Sequence, residues 1–345
     1  MVKFGVMLSL AQYEQMAKHS MIVENLGFDS LWVPDHIVLT NYRKLCLEAW
    51  CTLSALATCT KRIALGTSVT DPYRRHPVVL AQTVATLDQI SGGRAVLGLG
   101  AGEAMNVDPY GIPRDRRIAR IRETVEIIKR LWEGKMVDYS GEIYTLSKAF
   151  IQVTPTQKPW VPIYLAANSS MTRHLVGIYA DGWLAEMMSP KRYRADIEEV
   201  ETAARKVGRS INDIDVTCVV TTAISKDYDG ARKAAIFQAK RRFLWWPKQL
   251  QLYGHLISAE FDWNHLKVGK DTANLIEGHI SEVPDKPCED VTIYGTPEDC
   301  IDKIDKYMRN GVTHFEFEIV SPYEETCELL GRKVIPYFKE HSDVV

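Results

Sequence analysis

Apolar runs of five to eight residues alternate along this chain with stretches whose apolar positions recur every three to four residues, which predicts strands alternating with amphipathic helices. The run Lys3–Leu8 is followed by a helical pattern over Gln12–Leu26, closed by Gly27, and by a second strand at Asp29–Val33. A helix over about Leu45–Cys59 precedes a strand at Arg62–Val69. Next come a helix over about Val78–Ile90, stopped by Ser91-Gly92-Gly93, and a strand at Arg94–Leu99. After a strongly patterned helix over about Arg116–Trp132, the rhythm breaks at Gly134–Pro162, where Gly141 and three prolines predict a hairpin and an extended crossover. It resumes with strands at Pro162–Ala166, Gly182–Met187 and Ile214–Ile224, each followed by a helical segment: Met171–Tyr179, Pro190–Val207 and Ala231–Arg242. Phe243–Ile293 reads as irregular. A capped helix then starts at Thr296-Pro297-Glu298, followed by a strand at Thr313–Val320 and a last helix over about Tyr323–Lys339.

Eight strands, each followed by a helix, predict a parallel (β/α)8 TIM barrel with insertions, formed by residues 1–345 as a single domain. No glycine-rich GxGxxG follows the first strand, which counts against a dinucleotide-binding open sheet. At 345 residues the chain exceeds the ~250 of a bare barrel, and the surplus falls mainly in the insertions 134–162 and 243–293. With 42 basic and 44 acidic residues the net charge is −2, so neither nucleic acid nor an anionic membrane is the expected partner. The seven scattered cysteines contain no Cys-x-x-Cys pair, and the opening MVKFGVML is too short an apolar stretch for a signal peptide. Both features predict a cytoplasmic protein with neither disulfides nor bound metal.

In such a barrel the reacting groups stand at the C-terminal ends of the strands. That rule selects Asp35-His36, Ser68-Val69-Thr70-Asp71, Gly100-Ala101-Gly102-Glu103 with Asn106, Ala167-Asn168-Ser169-Ser170 and Glu186. His36 follows a Pro-Asp turn, where an imidazole suits proton exchange near neutral pH; packing against its own loop is the plainer role. Glu103 lies in GLGAGEAMN, whose glycines let a planar ligand approach the backbone, although acids also favour helix N-termini. Asn168-Ser169-Ser170 before a helix is either an anion site or an ordinary cap. Arg74-Arg75-His76 reads equally as an anion-tail site or a solvated charge cluster. On the last strand His314, Glu316 and Glu318 share one face and Phe315, Phe317 and Ile319 the other, with the inward face undecided. Trp245-Trp246-Pro247, with Trp263, reads as a lid, a core element or a subunit contact.

These residues resemble those of the bacterial luciferase-like superfamily and, within it, the branch that uses the deazaflavin coenzyme F420. The resemblance runs through SLAQYEQM, NLGFDSLWVPDH, LGTSVTDPYRRHPVVLAQTVATLDQISGGRAVLGLGAGEAMN, YTLSKAF, VPIYLAAN, YADGW and YGTPEDCIDKI, in order. It implies a non-prolyl cis peptide at Ser68-Val69 behind the cofactor ring. It implies ring contacts from Asp35, Thr70, Gly102 and Asn106, catalytic roles for Glu103 and His36, and a phosphate loop at Ala167, Asn168 and Ser169. The last departs from the family's usual glycine pair.

A deazaflavin implies hydride transfer to or from a small-molecule carbon substrate in a homo-oligomeric enzyme. Glu186-Met187-Met188 replaces the threonine and lysines of the branch's sugar-phosphate dehydrogenases, and Thr40 replaces the tryptophan of its alcohol dehydrogenases. With DPYRRHP, SPKRY and the Pro247–Leu256 insertion, these departures resemble methylenetetrahydromethanopterin reductases. GEAMN, in contrast, resembles the secondary-alcohol dehydrogenases, which remain the alternative, followed by an FMN-dependent monooxygenase.

Overall fold

The computed structural model describes residues 2–8, 11–41, 44–257, 268–320 and 322–341. Eight parallel strands close on themselves in the order β1 (Lys3–Met7), β2 (Ser30–Val33), β3 (Ala64–Thr67), β4 (Ala95–Leu99), β7 (Ile163–Ala166), β8 (Gly182–Glu186), β9 (Asp215–Ile224) and β11 (His314–Ile319). The ring shuts where β11 pairs with β1, Glu316 opposite Gly5. Two strands form the antiparallel hairpin expected in the first insertion, β5 (Val137–Ser140) and β6 (Thr145–Ala149). The surrounding helices are α1 (Tyr13–Asn25), α2 (Ala49–Cys59), α3 (Pro77–Ser91), α4 (Ala104–Val107), α5 (Arg117–Trp132), α6 (Ser170–Tyr179), α7 (Pro190–Arg205) and α8 (Tyr228–Trp245).

The second insertion is not irregular. It continues α8 as far as Trp245 and adds α9 (Pro247–Gln251), α10 (Lys270–His279), α11 (Asp285–Asp290) and the extra strand β10 (Thr292–Gly295), which pairs with the end of β9. Helices of five and six residues are too short to display a 3.6-residue period, which is why the pattern missed them. Trp263 lies outside the described residues. The chain ends in α12 (Pro297–Met308), α13 (Tyr323–Leu329) and α14 (Ile335–Glu340). The last two were expected as one helix; they are joined by a wide π turn at Leu330–Val334, because Pro336 has no N–H to donate back into the preceding turn. Strand β3 is also shorter than Arg62–Val69, ending at Thr67.

Two apolar layers hold the barrel. Outside the sheet, Phe4, Phe315 and Phe317 stack at 5.9–6.1 Å between ring centres and face the helices. Strand alternation therefore turns His314, Glu316 and Glu318 inward. Inside, Trp32, Val96, Tyr164, Leu184 and Val219 fill the floor. Trp32 requires a glycine beside it at Gly66, where a Cβ would stand 2.4 Å from the indole. The floor also carries a polar relay: Trp32 Nε1 donates to Ser30 Oγ at 2.9 Å, and Ser30 Oγ is 2.8 Å from His314 Nε2. Burial pushes the His314 pKa down to about 4, so its imidazole is neutral at pH 7.

Candidate active site

The C-terminal ends of β2, β3, β4, β8 and β11 bring the sequence-selected residues to one mouth. His36, just past β2, places Nε2 3.2 Å from Glu103 Oε2. Glu103 precedes α4, and Asn106, inside α4, donates from Nδ2 to the same oxygen at 3.2 Å. Asn106 Oδ1 in turn accepts the backbone N–H groups of Ile37 and Val38 at 2.7 and 3.0 Å, tying the loop that carries His36 to the loop that carries Glu103. The side chains of His36 and Glu103 keep 21% and 29% exposure, so a ligand can reach both. Among the described residues the buried His36 Nδ1 has no hydrogen-bond partner.

Asp35 and Thr70 lie beneath this pair. The Asp35 side chain is 1% exposed; it accepts from Thr70 Oγ1 at 2.5 Å and from Arg75 Nη1 at 2.7 Å, with Arg74 Nη2 3.1 Å away. Arg74 also pairs with Asp71, and Arg75 with Glu48. The two arginines are thus committed to carboxylates and form neither a solvated cluster nor a free anion site. His76 accepts from the Val78 N–H at 3.3 Å, capping α3.

The Ser68–Val69 bond is cis, as the resemblance implied. Gly100 passes so close behind it that a Cβ there would lie 2.4 Å from Val69 Cγ2, and Gly102 takes φ +71° with the Tyr73 ring where its Cβ would go. Backbone and small groups therefore form the rim between β3 and β4. On the far side Ala167 is buried, while Asn168, Ser169 and Ser170 are exposed at the start of α6. Ser169 is the N-cap of α6 and shares a capping box with Thr172 that engages the N–H groups of both residues, which leaves Asn168 and the N–H groups of Ser170 and Met171 as the donors at this helix start.

Sequence reasoning missed Arg242 of α8. Its guanidinium reaches over the mouth to Glu186 of β8 and to Glu318 of β11, the latter at 3.1 Å, and stacks 5.4 Å from the Trp246 ring centre. Glu318 accepts further from Thr221 Oγ1 at 2.7 Å and Gln238 Nε2 at 3.2 Å. The available signal was the spacing: Gln238 and Arg242, four apart, place long polar side chains on one face of a helix whose Ala235, Ala239 and Phe243 are buried. Glu316 is wholly buried below this cluster. Ser68 Oγ donates to its Oε2 at 3.1 Å, and its Oε1 has no partner among the described residues. Burial first, and then the charges of Glu186 and Glu318, push the Glu316 pKa up to about 8 against the lowering effects of Ser68 and Arg242. Burial likewise raises that of Glu186. Trp245 is packed in the cluster under α8 rather than placed as a lid.

Among the described residues no group of three His, Cys, Asp or Glu side chains is arranged to hold a metal, and no helix is long and apolar enough to cross a membrane. The profile of the family described as luciferase-like monooxygenase matches residues 1–314. The chain belongs to this luciferase-like family. Its luciferase-like relatives include the 5,10-methylenetetrahydromethanopterin reductase of Archaeoglobus fulgidus, 31% identical over 342 residues, which cover 98% of this chain and 100% of that one. The solved structure of the coenzyme F420 dependent tetrahydromethanopterin reductase from Methanopyrus kandleri superposes with a TM-score of 0.84 at 28% identity, covering 98% and 99% of the two chains. An F420-dependent secondary alcohol dehydrogenase in complex with an F420-acetone adduct follows at 0.81 and 25% identity, covering 97% and 98%.

The luciferase-like mouth suits a planar ring with an anionic tail. Its β3–β4 rim is built of small groups and backbone, the buried Nδ1 of His36 is unpaired among the described residues, and the N–H groups of Ser170 and Met171 at the start of α6 suit a phosphate.

Proposed function

We propose that the chain is a coenzyme F420-dependent oxidoreductase moving a hydride between the deazaflavin and a carbon substrate, and that this substrate is methylenetetrahydromethanopterin. The observation that carries the reading is the His36–Glu103–Asn106 cluster at the barrel mouth, in a chain that aligns over 98% of its length with a reductase of that substrate. When bound, the reduced deazaflavin supplies a hydride from its carbon five. Ser68, Val69 and Gly102 would hold the ring; Asn106 ties the two loops together, and Asp35 and Thr70 would support the site. Ala167, Asn168 and Ser169 receive the tail. His36 exchanges a proton with the substrate heteroatom, and Glu103 stabilises the charge that develops as hydride leaves. Arg242, clamped by Glu186 and Glu318, roofs the mouth and keeps water from the transfer. The enzyme is cytoplasmic, in keeping with seven free cysteines, and homo-oligomeric.

A secondary alcohol or ketone is the second reading, favoured by GEAMN and by a His–Glu pair suited to an alkoxide. Anaerobic titration with oxidised and reduced coenzyme F420 and with FMN, followed by turnover on pterin and alcohol panels, decides between them. The expected outcome is deazaflavin binding with turnover on the pterin. Binding of FMN alone overturns the cofactor assignment, and turnover on alcohols alone overturns the substrate.

A further inference from the structure

Glu316 is a carboxyl group that no step above uses. It is wholly buried inside the barrel, yet among the described residues only one of its oxygens is hydrogen-bonded, and the donor is Ser68, a partly exposed residue of the rim. The groups that face it are Ser68 from the end of β3, Glu186 from β8, Arg242 from α8, and Glu318 and His314 from its own strand; the neighbouring Cys218 of β9 is a neutral thiol whose pKa burial pushes up to about 12. His314 is neutral, so among the described residues the acids Glu186, Glu316 and Glu318 have only the Arg242 guanidinium as a buried counter-charge. Glu186 and Glu318 both engage that guanidinium directly. A third, with an unpaired oxygen, would be an uncompensated charge in an apolar site, so the cluster is balanced best when it keeps a proton.

We propose that Glu316 is the proton store of this barrel, delivering its proton to the reacting face through the Ser68 hydroxyl; this rests on the hydride-transfer reading. Across the 3.1 Å contact Ser68 Oγ donates to Glu316 Oε2; when the carboxyl holds a proton, the same contact can reverse, with the Glu316 O–H donating to Ser68 Oγ and the serine O–H free for the substrate. Reducing a carbon–heteroatom bond needs a hydride at carbon and a proton at the heteroatom. The Ser68 O–H bond breaks as the new N–H or O–H bond forms on the substrate, and the Glu316 O–H bond breaks as Ser68 Oγ takes its proton. Glu316 is left as carboxylate. Oxidation of a reduced deazaflavin would yield one proton for each hydride, so the neutral acid at Glu316 would be restored with no net proton consumed. No other reactant is needed. Glu316 acts through Ser68 and is a positioning residue in this scheme.

The store is tested first without cofactor, by infrared spectroscopy of the ligand-free protein across pH 6–9, reading the C=O stretch of a neutral carboxylic acid. A band that persists at pH 7, fades near pH 8 and is missing in Glu316→Gln is the expected result. A Glu316→Gln spectrum identical to wild type at pH 7 overturns the proposal, whatever cofactor the protein binds. The relay is tested in Ser68→Ala, which keeps the acid in place. Measured at saturating deazaflavin, single-turnover reduction is expected to fall about 10²-fold and to lose the alkaline limb that Glu316 gives wild type. An unaltered rate and pH profile in Ser68→Ala removes the relay even if Glu316→Gln fails to fold. Loss of deazaflavin binding by wild type would instead refute the parent reading.

Discussion

The N–H groups of Ile37 and Val38 end on one side-chain oxygen of Asn106, whose amide nitrogen donates to the oxygen of Glu103 that also meets His36. One residue thus sets the separation of the acid and the imidazole, which must be held to a fraction of an ångström for proton exchange to compete with solvent. Glu103→Gln keeps this geometry and removes the charge. Its hydride-transfer rate is expected to fall about 10²–10⁴-fold with cofactor affinity nearly unchanged, as read by single-turnover absorbance after an equilibrium titration. Asn106→Ala leaves the charge but strands two N–H groups in a partly buried loop. It is expected to lose about 1–3 kcal/mol of stability in chemical denaturation, with turnover falling as His36 drifts. The Glu103 variant losing stability rather than rate would reverse these roles.

At the scale of elements, α8 separates what the sequence made legible from what it did not. The barrel strands and most of their helices could be read because long segments repeat their period, and the strand ends then pointed to His36, Glu103 and Asn106 without further help. Pairings across the barrel carry no such signal. Nothing near Arg242 in the sequence announces that Glu186 and Glu318, 56 and 76 residues away, will meet it, nor that the phenylalanines of β11 will turn outward. The short helices α9 and α11 were hidden for want of turns, and the fate of Arg74 and Arg75 depended on the Asp35 carboxylate below them. Because Arg242 is the guanidinium shared by two carboxylates, Arg242→Met should leave both uncompensated. A loss of about 2–3 kcal/mol in urea denaturation is expected, near the low end for a buried pair because the cluster retains some solvent contact. Arg242→Lys should recover only part of it, since a point charge cannot span both acids.

The whole molecule carries two opposed sets of buried acids, and together they shape its stability against pH. Away from the mouth, Glu24 accepts the N–H groups of Lys61, Arg62 and Ile63, and Glu123 of α5 accepts those of Glu142, Ile143 and Tyr144 at the hairpin turn. Burial alone would raise both pKa values, but the backbone donors outweigh it and lower them. Such groups bind fewer protons folded than unfolded. Their contribution is present above the ordinary carboxylate pKa and is lost as pH falls through the lowered values. Glu316 has the opposite sign. Its pKa rises to about 8 in the fold, so between about pH 4.5 and 8 the folded chain holds a proton that the unfolded chain does not, and stability declines as pH rises through that window. Wild type should therefore lose stability toward acid through Glu24 and Glu123, and toward mild alkali through Glu316. Urea midpoints measured from pH 5 to 9 should fall less steeply above pH 6 in Glu316→Gln than in wild type, because glutamine has no proton to surrender. Parallel curves for the two proteins would mean that Glu316 is already ionised at neutral pH, and the charge balance drawn around Arg242 would then need another counter-ion.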